Sequence, residues 1–146
     1  MKILLQLVIM LFVTSYSYAG DCPQFRNTKK APAMFLELDR TKTANKDNGR
    51  VLFHKSAKPI ACKMCHGEKG DGNGKLGKAL MPRPRNFTCE STMRDISPGQ
   101  MFYIIQNGSK GTGMQPQRLL EPKEIWDLVK YIREELAVKS IEDLVS

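Results

Sequence analysis

The chain has 146 residues, 41% apolar and 26% charged, which allows one soluble globular domain with a modest core and excludes two. Its 23 Lys and Arg against 15 Asp and Glu leave a net charge of +8. That balance favours acidic partners, whether a protein, a membrane surface or nucleic acid.

Residues 1–19 have the pattern of a cleaved signal peptide: Lys2 as a short positive start, an apolar run from Ile3 to Val13 broken only by Gln6, and small Ser17 and Ala19 before the cut. Cleavage is expected after Ala19 or one residue later. The run is far short of the roughly 20 residues that span a bilayer. Asp21 before Cys22 argues against a lipoprotein. A mature chain exported to the periplasm follows, with no transmembrane segment and with nucleic acid removed from the partners. Residues 20–44 have no sustained period and read as an extension packed on the surface, with Met34, Phe35, Leu36 and Leu38 holding it down and Met34 serving as core filler.

The first helix is expected over Lys46 to Ala57, capped by Asn45, with Gly49, Leu52 and Phe53 on one face. Pro59 ends it. Cys62-Lys63-Met64-Cys65-His66 follows, which is the most specific signal in the chain. Two thiols three positions apart on a helical turn can both add to the vinyl groups of one porphyrin, and the adjacent imidazole then meets the iron. Zinc would need a second close pair of ligands, whereas Cys22, Cys89 and His54 stand alone. A thioredoxin-like pair would need alternating strands and helices. One covalent haem c is therefore the expected cofactor. His54 is weighed as a second iron ligand and reads better as a surface histidine beside Lys55.

The run from Gly67 to Gly77 carries two false leads. Gly72, Gly74 and Gly77 have dinucleotide-fingerprint spacing without the preceding strand, and Lys75 spoils a calcium loop begun by Asp71 and Asn73. A loop folding around one porphyrin edge is the plainer account. In Met81-Pro82-Arg83-Pro84-Arg85 the prolines hold the chain extended, and a carbonyl near Pro82 to Pro84 is expected to accept from His66 Nδ1. Ser97-Pro98 starts a helix that Asn107-Gly108 stops. After a loop from Ser109 to Arg118, a last helix runs from Glu121-Pro122 to about Val138, its apolar face built from Ile125, Trp126, Leu128, Val129, Ile132 and Leu136. Residues 139–146 form a tail.

With Cys62 and Cys65 used, Cys22 and Cys89 remain. An oxidising compartment favours a bridge between them over free or intermolecular thiols. For the sixth iron position Met114 is the candidate, because Gly111, Gly113 and Pro116 shape a loop able to present it inward, while Met81 and Met93 stay open as alternatives.

This order of elements resembles the class I c-type cytochromes over about Asn45 to Val138, on Cys62-Lys63-Met64-Cys65-His66, the proline loop, Asn107-Gly108, Gly111-Thr112-Gly113-Met114 and the last helix with Trp126 and Tyr131. The resemblance implies an all-α fold, a small cytochrome c domain at 45–138 with three to five helices around one haem. It also implies iron held by His66 and Met114, and first and last helices crossing near Gly49 and Tyr131. The expected function is electron transfer between ferric and ferrous states by a periplasmic monomer. Its partners would be acidic redox proteins or a membrane-bound oxidase or reductase, steered by Lys63, Lys69, Lys75, Lys78, Arg83 and Arg85. The alternatives are a haem c subunit of a periplasmic oxidoreductase, or a peroxidase or gas sensor if the sixth position is open.

Overall fold

The computed structural model describes residues 22, 24 and 28–137. The expected signal peptide and the 139–146 tail lie outside them. Among the described residues every regular element is helical: α1 Ala33–Leu36, α2 Lys46–Val51, α3 Lys63–His66, α4 Glu90–Met93, α5 Pro98–Asn107 and α6 Pro122–Tyr131. The all-α expectation holds: α3 is the helical turn expected at the Cys62 to His66 run, and single turns α1 and α4 are added to the longer helices.

Local chemistry explains the helix ends. Asn45 Oδ1 accepts from the Asn48 N–H at 3.0 Å, and Ser97 Oγ accepts from the Gln100 N–H at 3.1 Å, so α2 and α5 begin on the residues that cap them. Gly108, at φ +74°, ends α5 by donating its N–H to Ile104 O at 2.8 Å. Glu124 closes the start of α6 by accepting from the Glu121 N–H at 2.8 Å. Both α2 and α6 widen into a π turn, over Leu52–Ser56 and Ile132–Leu136 respectively. A π turn carries the same apolar residues as an α turn, so the sequence pattern does not distinguish them.

α2 and α6 cross with backbones nearly touching, as expected at Gly49 and Tyr131. A β-carbon at Gly49 would strike the Asp127 carbonyl, so only glycine permits the approach. The crossing is clamped by Asp127, a fully buried carboxylate that accepts from the Asn45 N–H at 2.6 Å, Asn48 Nδ2 at 2.8 Å and Lys123 Nζ at 2.9 Å. Burial by itself would raise the Asp127 pKa, but these donors outweigh it and hold the carboxyl below its ordinary range. α5 packs on α6 through Phe102 and Trp126, stacked at 4.6 Å.

The extension does more than cover the surface. α1 lies against α5, with Phe35 edge-on to Tyr103 at 5.1 Å. Met34 is 72% exposed and not core, because α1 turns Phe35 rather than its neighbour toward α5. Cys22 and Cys89 are joined as a disulfide with Cα atoms 5.6 Å apart. This fixes the start of the described extension to the residue preceding α4.

Candidate functional site

α3 is four residues long and could not stand alone. Its orphan carbonyls are taken by the glycine-rich loop: Met64 O accepts from Leu76 N–H at 2.8 Å, Cys65 O from Gly74 at 3.1 Å and His66 O from Gly72 at 2.7 Å. A β-carbon at Gly74 or Gly77 would collide with the Cys65 carbonyl. The glycines therefore serve close approach to the α3 backbone, which corrects the expectation of a loop shaped to a porphyrin edge.

His66 is held from two sides. Its ring stacks on Phe87 at 4.6 Å, with 17° between planes. Its Nδ1 is 3.2 Å from the Arg85 carbonyl. A carbonyl only accepts, so Nδ1 carries the proton of this bond, and in the neutral ring Nε2 is then the lone-pair nitrogen. The acceptor is Arg85 rather than the Pro82 to Pro84 stretch, since it is Arg85 that presents its carbonyl to the ring. Cys62 and Cys65 are free thiols, and burial pushes Cys62 up to about 12 and raises Cys65.

Two adjoining cavities of about 620 Å³ and 210 Å³ share the walls Thr28, His66, Arg85, Phe87, Ile104, Ile105, Met114 and Ile132. The smaller is also bordered by Cys62 and Cys65, so the four expected site residues meet at one place in the fold. Met114 is carried there by a tight turn in which Ser109 N–H donates to Met114 O at 3.0 Å and Met114 N–H to Thr112 Oγ1 at 3.1 Å. Of the alternatives, Met81 is 85% exposed and borders neither cavity. Met93 and Met101 are buried core residues on the wall of the larger one.

His54 is not at the cavity. Its Nε2 meets Tyr131 Oη at 2.8 Å and its Nδ1 meets Glu68 Oε1 at 3.1 Å, so it bridges α6 to the residues after α3. Lys63 Nζ, at 3.0 Å, is the first cause holding the Glu68 carboxyl below its usual value. Sequence reasoning missed Asp127 because its i, i+4 relation to Lys123 has the look of an ordinary surface pair.

The family described as cytochrome C oxidase, cbb3-type, subunit III matches residues 44–132, about three-fifths of the chain. The chain belongs to this family of c-type cytochromes. Its cofactor is covalently bound haem c. No curated protein matches the cytochrome. Among solved structures it is similar to a chain of the reducing HAO-like protein complex of Kuenenia stuttgartiensis, at 23% identity and a TM-score of 0.50, over 61% of this chain. The cytochrome spans 41% of that chain's length, and the likeness is one of fold.

The cavity walls suit the group. They combine an apolar lining, two unpaired thiols, an imidazole of fixed tautomer and a thioether. Gln117, on the wall of the smaller cavity, has a buried Oε1 with no hydrogen-bond partner among the described residues, as expected where a bound group completes the wall.

Proposed function

We propose that this cytochrome is an exported single-haem electron carrier in which Cys62 and Cys65 hold the haem covalently and His66 and Met114 are the axial ligands. The observation that carries this reading is that His66, with Nε2 left as its lone-pair nitrogen, and Met114 border the same cavities. Bound haem supplies a one-electron couple between ferric and ferrous iron. The chain's own contribution is rigidity. Arg85 O and Phe87 fix the imidazole, the Ser109 to Met114 turn positions the loop that carries the thioether, and the walls are mainly apolar.

The signal-peptide pattern of residues 1–19 supports a periplasmic location. Among the described residues no helix is long and apolar enough to cross a membrane. Lys69, Lys75, Lys78 and Arg83 are exposed on the loops after α3, as are Leu76 and Met81 in the same stretch of sequence. Exposed cations interspersed with apolar side chains suit an acidic redox protein or a membrane-bound oxidase or reductase. Lys63 and Arg85 are less available, being engaged by Glu68 and Thr28.

A second reading, a haem c subunit or domain of an oxidoreductase complex, draws on the fold neighbour, a chain of a reducing HAO-like protein complex that is longer than this chain. Spectra of the purified holoprotein test the iron ligands. Met114→Ala is expected to abolish the sulfur-to-iron charge-transfer band and Met81→Ala to keep it. Rapid carbon monoxide binding by the unmodified protein would mean an open sixth position, and with it a peroxidase or gas sensor.

A further inference from the structure

The extension ahead of residue 44 lies outside the stretch that matches the family, yet it forms one wall of the larger cavity through Gln24, Thr28 and Lys30. Its contacts converge on a single residue. Gln24 Nε2 donates to Pro84 O at 3.2 Å, and Gln24 Oε1 accepts from the Asn86 N–H at 2.8 Å, so one amide side chain grips the backbone on both sides of Arg85. The Arg85 guanidinium donates to Thr28 Oγ1 at 2.9 Å. The Cys22–Cys89 disulfide holds the strap at its start, and Gln100, which accepts from the Ala31 N–H at 2.7 Å, holds it further on.

Haem carries its two vinyl groups on one side and its two propionate carboxylates on the other. Cys62 and Cys65 border the smaller cavity alone, so a haem bonded there would direct its carboxylates away from them, toward the larger one. Among the described residues, the charged side chains bordering the larger cavity are Arg85, Lys30 and Asp95, besides His66. Arg83 borders only the smaller cavity and is committed elsewhere, donating to Asn73 Oδ1 at 2.7 Å and Lys78 O at 3.2 Å. Two carboxylates entering a largely apolar cavity need fixed cationic donors.

We propose that the disulfide-held strap builds the propionate subsite of this cytochrome, with Arg85, positioned by Gln24 and Thr28, as its fixed cationic donor and the exposed Lys30 at the same cavity as a second. The inference rests on haem attachment at Cys62 and Cys65. Arg85 then acts twice on the cofactor, through its carbonyl on His66 and through its guanidinium on a carboxylate. Substitution of its side chain leaves the carbonyl in place.

Resonance Raman spectra of the holoprotein, in the propionate bending region, test the subsite, and the midpoint potential is measured in parallel. Arg85→Gln and Lys30→Gln are expected to shift the propionate bands and lower the potential. Thr28→Val should shift the bands in the same sense, and it carries the test with Lys30→Gln if Arg85→Gln does not accumulate as holoprotein. The double variant Cys22→Ser/Cys89→Ser is expected to reproduce the shift, and Arg83→Gln to leave the bands unchanged. Unchanged bands in Arg85→Gln and Lys30→Gln, or a shift in Arg83→Gln alone, would overturn the proposal. The sulfur-to-iron band and covalent haem retention in the same samples report separately on Met114 and on the cysteines, so failure of the subsite and failure of the attachment reading are told apart.

Discussion

Asp127 ties the start of α2 to α6. It is fully buried and charged, and three donors from two elements converge on it. Removing the carboxylate leaves the Asn45 N–H and the Asn48 amide without their acceptor, while the largely exposed Lys123 ammonium returns to water, so Asp127→Ala is expected to cost about 1–3 kcal/mol in urea denaturation of the holoprotein. The sign of the acid response follows from its lowered pKa. Its contribution is fully present above the unfolded carboxyl value, near pH 4, and is lost as pH falls through the lower folded value. An acid titration should therefore show stability falling below about pH 4 in the unmodified protein and falling less steeply in Asp127→Asn.

Elements announced by local signals were legible in the sequence, and elements created by tertiary contact were not. Asn45, Ser97 and Gly108 bound their helices through hydrogen bonds to residues three or four positions away, which sequence spacing displays directly. The cysteine and histidine run fixed α3 and its chemistry in the same way. By contrast α1 and α4 are single turns with no apolar period of their own, one packed on α5 and the other beginning just after the Cys89 bridge. The acceptor for His66 was displaced to Arg85 because the exact carbonyl depends on how the proline loop is pinned, and Gln24 does that from 60 residues away. The role of Gly49 was readable as close helix approach, and it gives a prediction at this scale. Gly49→Ala must push α2 off the Asp127 carbonyl and is expected to lower stability by about 1–3 kcal/mol, seen as an earlier denaturation midpoint with an unchanged slope.

At the scale of the whole molecule, two features outside the haem walls set behaviour. The disulfide closes a loop of sequence separation 67, and its removal in Cys22→Ser/Cys89→Ser is expected to cost about 2–4 kcal/mol by thermal or urea unfolding. The excess of cations, +8 in net charge, gives the molecule a long-range field. Stopped-flow electron transfer with an acidic partner should slow by about tenfold or more as salt is raised from roughly 0.01 M to 0.5 M. The double reversal Lys75→Glu/Lys78→Glu should flatten that dependence; a rate indifferent to salt would remove the steering argument.

The cavity runs between the side chains of α5, α6 and the proline loop, so the cofactor is itself part of the core that these elements share. A core member that is bonded to the chain cannot be lost by dilution. Unfolding leaves the haem tethered, and refolding finds it at a local concentration set by chain length rather than by what is in solution. The folding equilibrium is thus unimolecular in a protein whose interior is partly not polypeptide. Its denaturation midpoint should be the same at nanomolar and micromolar protein, where a protein holding haem without a covalent bond would drift apart into chain and cofactor.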